Sequence, residues 1–184
     1  LHPFNDINMA YGAATCGAEM IEDIPPLDIV LIPVCGGGLI AGMAAAIRKM
    51  SPQTLIIGVE PEGANSLSRS FASGRPETLE SINTIADSLG APMALAESMA
   101  LARENVDELI TIPDSVMADT MLLMRHTLNI VAEPACTASL GSVLGPLRER
   151  VAGKRVGVLA CGSNIGPERF EAYTSDARMP MPPV

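Results

Sequence analysis

The chain contains no tryptophan, only 3% aromatic residues, two lysines and two histidines, and no C-x-x-C pair among its four cysteines. Each shortage removes a class of function. Scarce aromatics leave little for bases to stack on, and a formal net charge of −9 repels a phosphate backbone, so no nucleic-acid partner is expected. Cys16, Cys35, Cys136 and Cys161 stand apart, with only His2 and His126 to assist them, which excludes a structural zinc site. Unpaired thiols suit a reducing cytoplasm. No basic segment followed by an apolar stretch opens the chain, so no secretory signal is expected. One uncharged run, residues 29–47, is nineteen residues long, but Pro33 and three glycines would break a spanning helix in its first half. A buried strand turning into a buried helix accounts for it, and no membrane partner is expected.

What is present points to a packed globular chain. Of 184 residues, 48% are hydrophobic and 18% charged, enough to bury a core and too apolar for disorder. Alanine, glycine and methionine abound, as tight packing of helices on a sheet requires. The most informative stretch is PVCGGGLIAGMAAAIRKMSPQTLIIGVE, residues 33–60. An apolar run meets Gly36, Gly37 and Gly38, then a small-residue helix pattern, then a second apolar run. Strand, glycine turn, helix, strand is a phosphate-cradling unit, because bare backbone approaches the anion and the first-turn amides point at it.

Periodicity and punctuation predict helices at 7–24, 38–50, 64–73 (closed by Gly74) and 94–103, and strands at 28–34, 55–59 and 108–112. A turn-rich loop covers 78–92. Asp114 is expected to cap a helix over 115–130, with an apolar stripe of Val116, Leu123 and Ile130. Pro134 begins a helix to about residue 151, and a last strand covers 155–160. Strands alternating with helices predict an α/β fold, a three-layer doubly wound parallel sheet occupying residues 1–174, followed by a flexible proline-rich tail over 175–184. Ligands gather at the carboxyl ends of such strands, where the loops at 35–38, 60–65 and 161–164 fall.

The glycine loop admits two readings. Gly36-Gly37-Gly38-Leu39-Ile40-Ala41 satisfies G-x-G-x-x-G/A, and Glu60 ends the next strand twenty-two residues after Gly38, placed to accept ribose hydroxyls. That predicts an NAD-type dinucleotide-binding Rossmann module. The second reading is a resemblance. PVCGGGLIAG is similar to the phosphate loop of the threonine/serine dehydratase family, pyridoxal-phosphate enzymes of fold type II (tryptophan synthase β-like). Further segments match that family in order: HPFND at 2–6, IIGVEPEGANS at 56–66, TIADSLG at 84–90, VAEPACTASL at 131–140 and LACGSNI at 159–165. Six ordered matches are far more specific than one glycine fingerprint.

The resemblance implies that pyridoxal 5′-phosphate is held through its phosphate by the amides of Cys35, Gly36, Gly37, Gly38 and Leu39, with Cys35 replacing the family's first glycine. Cys161 takes the place of the serine that meets the pyridine nitrogen; an uncharged group there leaves that nitrogen largely unprotonated, which suits β-elimination. Some relatives bind a divalent cation at positions matching Glu60 and the Ala64 carbonyl, although Ser66 stands where a second carboxylate would be expected. The Schiff-base lysine of the family lies in an S-F-K-x-R segment that is absent here. Lys49 and Lys154 read as surface residues, so no catalytic residue is assigned within this chain.

The chain therefore resembles the C-terminal half of a dehydratase, with the N-terminal half missing. The function implied is pyridoxal-phosphate-dependent deamination of threonine, serine or a related hydroxy amino acid to a 2-oxo acid and ammonia. It is completed by the missing half or a partner fragment, acts on a small amino-acid substrate, and is expected in a homo-oligomer because the uncovered surface would be apolar. A lysine-deficient domain that merely holds a phosphate-bearing ligand is the other outcome. Plainer roles stand beside these: Glu133 as a helix cap, His126 as a structural or exposed residue, Asp119 on a solvated face, and Cys35 and Cys161 as small buried residues.

Overall fold

The computed structural model describes residues 7–24 and 26–179; the HPFND segment at 2–6 and the prolines of the tail at 180–183 lie outside the described residues. Helix α1 (Ile7–Asp23) leads into β1 (Ile29–Pro33), and α2 (Gly38–Met50) returns the chain to β2 (Leu55–Pro61). A 3-10 turn (Glu62–Ala64), α3 (Ser66–Ser73), a second 3-10 turn (Asp87–Leu89) and α4 (Ala96–Asn105) precede β3 (Glu108–Ile112). Two helices, α5 (Asp114–Thr127) and α6 (Pro134–Leu144), carry the chain to β4 (Val156–Val158), after which α7 (Pro167–Thr174) follows.

The four strands pair in parallel in the order β3-β2-β1-β4. β1 is the apolar run IVLIP, and all five residues are buried because helices cover both faces. Side-chain alternation divides the core. Val30, Ile32 and Ile56 pack against Ile40, Met43 and Ile47 of α2 and Met99 of α4. Ile29, Leu31, Ile57 and Val59 face the other way, onto Met117 of α5 and Ala135 and Ala138 of α6. The fold is the expected three-layer doubly wound α/β sheet.

The winding reverses at one place. From β1 the chain steps outward through β2 to β3 with α2 and α4 on one face; α5 and α6 then cross the other face and deliver β4 to the far side of β1. The loops leaving β1 and β4 consequently diverge to opposite faces, and a crevice opens where they part.

Small residues let α1 lie directly on α2. A Cβ added at Gly42 would stand 2.1 Å from the carbonyl oxygen of Ala10, and one at Gly17 2.7 Å from that of Met43. The abundance of glycine and alanine is used here, at backbone contact.

Three sequence expectations are corrected. In α5 the buried residues are Met117, Ala118, Thr120, Met121 and Met124, and Ile130 is 45% exposed, so the seven-residue spacing of Val116, Leu123 and Ile130 is not the core stripe. Pliable methionines fill that face instead, and the helix stops at Thr127 before Asn129 enters the left-handed region at φ 57°. Asp114 is the first residue of α5 rather than its cap; Pro113 holds that position and makes no side-chain bond. Helix α6 ends at Leu144 and not near 151, because Gly145 leaves the helical region (φ −110°, ψ −110°) and Pro146 has no N–H to continue the ladder. Among the described residues no helix is long and apolar enough to cross a membrane.

The α1–α2 contact generates a paired test. Gly42→Ala must force the two backbones apart and should destabilise the chain by about 2 kcal/mol. Gly12→Ala, on the same α1 but with nothing within 4 Å of the new Cβ, should be neutral or stabilising. Equal melting temperatures for the two variants would refute close helix contact as the reason for these glycines.

Candidate functional site

The loop after β1 is held open by backbone geometry. Val34 donates to the carbonyl of Val59 at 2.8 Å, keeping the chain in the sheet until the glycines begin. Gly37 then turns at φ 96° and ψ −13°, a left-handed conformation disfavoured for other residues, and a Cβ there would come within 3.2 Å of Ser98 Cβ. It is the N-cap of α2, with no side-chain cap; among the described residues the amides of Gly38, Leu39 and Ile40 have no protein acceptor. Thirteen residues of helix align their peptide dipoles behind those donors. An anion is the ligand such an end attracts.

This loop and Cys161 border one cleft of ≈310 Å³, whose walls include Cys35, Gly36, Gly37, Gly38, Leu39, Ser88, Leu89, Ala135 and Cys161. It lies at the carboxyl ends of β1 and β4, where the winding reverses. Cys35 is half-buried and does not close the cleft. Burial pushes its thiol up, partly offset by hydrogen bonds from the amides of Gly36 and Ala91. Burial likewise raises Cys161, with further contributions from Cys16 and from the nearby Glu133 carboxylate. Both sulfurs are therefore uncharged thiols at neutral pH, weak donors rather than nucleophilic thiolates.

Glu133 holds the loop that presents Cys161. Its N–H donates to the carbonyl of Gly162 at 3.2 Å, and its Oε2 accepts the Asn164 N–H at 3.1 Å. Gly162 sits at φ 117°, and a Cβ there would meet Glu133 Oε1 at 2.6 Å. Glu133 stands at the N-cap of α6 as expected, but its side chain makes no capping bond, and the carboxylate instead braces the 161–164 loop.

The third loop does not join the cleft. Glu60 is fully buried; Oε1 accepts the Leu67 N–H at 2.9 Å, while Oε2 accepts the Ser68 N–H at 2.8 Å and also the Ser68 hydroxyl. Its carboxylate serves as the cap of α3 from across the turn and has no oxygen left for ribose, which corrects the dinucleotide expectation. The cation expectation for Glu60 and Ala64 meets the same obstacle. One carboxylate committed to three donors, with the neutral Ser66 hydroxyl nearby in sequence, does not fit a divalent ion, and among the described residues no cluster of three or more His, Cys, Asp or Glu is built for a metal.

Lys49 and Lys154 are exposed, as expected, and both stand at the wrong end of the sheet. Lys154 precedes β4, whereas the cleft follows it; Lys49 lies eleven residues along α2 from Gly38, about 17 Å at the helical rise. His126 is exposed on α5. Ser88, Leu89 and Ala135 are cleft residues that the sequence did not single out. They lie inside the TIADSLG and VAEPACTASL segments, but nothing in their local pattern marks a wall; chain closure brings them there.

Two tests follow. Burial raises the Glu60 carboxyl against the hydrogen bonds that lower it, so the folded chain keeps a proton where the unfolded chain has lost it. Stability from this group is full below the ordinary glutamate value and declines as pH rises through the raised one. Melts across that window should show the native chain losing stability relative to Glu60→Gln, and a constant gap would rule the linkage out. In alkylation by a maleimide, exposed Cys161 should react well before Cys136, which is 4% exposed with a thiol pushed up to about 11. Comparable rates, followed by peptide mapping, would contradict this placement.

The family described as "Pyridoxal-phosphate dependent enzyme" matches residues 1–162. Phenylserine dehydratase of Ralstonia pickettii is 43% identical over 173 residues, covering 94% of this chain and 53% of that protein. L-threonine ammonia-lyase of Thermotoga maritima is 36% identical over 165 residues, covering 90% and 41% respectively. Among solved structures, the processed form of threonine deaminase isoform 2 from Solanum lycopersicum superposes with a TM-score of 0.90 at 26% identity, over 95% of this chain and 51% of that one. The chain spans about half the length of the curated relatives it matches. By its glycine cradle, its switch-point cleft and the match over residues 1–162, the chain belongs to the pyridoxal-phosphate dependent enzyme family.

Proposed function

We propose that this chain is the cofactor-phosphate half of an enzyme that removes water and ammonia from a 3-hydroxy amino acid, threonine, serine or a close analogue, leaving a 2-oxo acid. The observation that carries the reading is the meeting of unsatisfied α2 amides with Cys161 in one cleft at the β1/β4 switch point. The donor set fits pyridoxal phosphate: a bare-amide cradle that a Cβ at Gly37 would disturb, and an uncharged group within the same cleft. When bound, that cofactor supplies the electron sink that loosens the substrate's α-proton.

The chain's own residues divide the work. The free amides of Gly38 and Leu39, behind the turn at Gly37, would hold the phosphate; the Gly36 amide already leans on the Cys35 sulfur, so Cys35 and Gly36 shape the cradle's entrance. Cys161, uncharged and weakly donating, would meet the pyridine nitrogen without protonating it. Glu133 keeps that loop in register through Gly162 and Asn164. Leu39, Leu89 and Ala135 line the cleft with apolar surface, which excludes water from the reacting atoms. The lysine amine comes from the remaining half of the protein, since both lysines of this chain face solvent at the opposite end of the sheet. Relatives named for phenylserine and threonine both act on amino acids carrying a 3-hydroxyl, the feature the proposed elimination needs.

The test uses the longer protein containing this chain. Supplied with pyridoxal phosphate and threonine, serine or phenylserine, it should release ammonia and the matching 2-oxo acid, and maleimide labelling of Cys161 beforehand should abolish cofactor uptake. No ammonia from any of the three substrates would overturn the reading. Borohydride separates the second possibility. A chain that only holds the ligand binds pyridoxal phosphate without covalent fixation even in the longer protein, whereas the enzyme is fixed through a lysine outside residues 1–184.

A further inference from the structure

The wall of the cleft formed by Ser88 and Leu89 belongs to a long connection between α3 and α4 that has almost no regular structure of its own. Its base is closed by a bridge between Thr78 and Met93, with the Leu79 N–H donating to the Pro92 carbonyl at 2.7 Å. Beyond that base, its only regular element is the three-residue 3-10 turn at Asp87–Leu89. A segment of this kind keeps one shape only if other elements hold it.

Asp114 does so from outside the cleft. It opens α5 directly after β3, where the helix's amino end favours a carboxylate. Oδ1 accepts the Thr84 hydroxyl at 2.6 Å and Oδ2 accepts the Ile85 N–H at 2.9 Å, so both oxygens grip consecutive residues of the loop. The Thr84 hydroxyl oxygen in turn accepts the Ala86 N–H at 3.1 Å. Three successive residues are thereby fixed immediately before the turn that carries Ser88 and Leu89. Ile85, Ala86 and Leu89 pack into the core below. A second contact backs the first: the Asn83 N–H donates to the Gly63 carbonyl at 3.0 Å, and a Cβ at Gly63 would sit 1.7 Å from the Asn83 oxygen. The Asp87 carboxylate, at the tip, meets Arg169 at 2.8 Å in an exposed pair, which contributes little.

We propose that Asp114 is a positioning residue that sets the shape of the cofactor cleft by clamping Thr84 and Ile85, and so places Ser88 and Leu89 as its wall. The part of this that concerns the cofactor rests on the reading above; the clamp itself does not. Asp114→Ala removes both acceptors. Asp114→Asn keeps one acceptor for the Ile85 N–H and a donor for the Thr84 oxygen, so it is the rescue variant.

The experiment pairs hydrogen exchange with binding, on the longer protein. In Asp114→Ala, amides at 85–89 should exchange at least tenfold faster while those of β1 and α2 stay protected; Asp114→Asn should stay within threefold of native. Affinity for pyridoxal phosphate should fall about tenfold in the alanine variant, and affinity for inorganic phosphate at the glycine loop should hold. A merely structural loss would weaken both ligands together and would not be rescued by asparagine. Unchanged exchange at 85–89 in Asp114→Ala overturns the proposal, as does equal pyridoxal-phosphate affinity in the alanine and asparagine variants. If the native protein binds no pyridoxal phosphate, the functional reading fails, and the exchange result alone then upholds or overturns the clamp.

Discussion

Three amides at the start of α2 are the constraint around which the molecule is arranged. Among the described residues they have no protein acceptor, and burying them without one would cost about 1–3 kcal/mol each. Among the described residues an α/β fold can leave them open because β1 and β4 send their chains to opposite faces of the sheet. The left-handed turn at Gly37 aims the donors, and the sheet behind β1, buried on both faces, keeps the aim rigid.

Carboxylates, one buried and two half-buried, do the comparable work elsewhere. Glu60 ties the end of β2 to the start of α3, Glu133 ties the start of α6 to the loop after β4, and Asp114 ties the start of α5 to the loop beyond α3. Each joins a loop at the carboxyl side of the sheet to a helix start through backbone amides. This common use explains why carboxylates in the segments around the cleft need not be catalytic. An acid whose oxygens are taken by backbone amides and hydroxyls is a fastener, and geometry separates that role from metal binding or ribose recognition.

Much of the architecture was legible in the residues. The glycine triplet between apolar runs announced β1 to within a residue at each end, the turn, and α2 with the bounds the structure has, because left-handed φ and small side chains are local requirements. The run ELITI was legible as β3 for the same kind of reason. The stripe assigned to α5 failed where methionine, which packs in any direction, replaced the branched residues that make a periodic face clear. Asp114 missed the cap position, and Glu133 holds its own without a side-chain capping bond, because a carboxylate near a helix start looks the same in sequence whether it turns inward to its own helix or outward to a distant loop.

The sequence alone determined the kind of site: a bare-amide anion seat after a buried strand, thiols at two cleft positions, and no lysine at the cleft's end of the sheet. Those properties follow from side-chain chemistry and local backbone freedom, which travel with the residues. Only the tertiary structure decided which loops meet. Cys161 stands beside the glycine loop because β4 pairs with β1, across more than a hundred residues of intervening chain; Glu60 is withdrawn from the site because its carboxylate finds the amino end of α3 first. Such choices depend on strand order and on competition among distant hydrogen-bond donors, and neither is written in any local pattern.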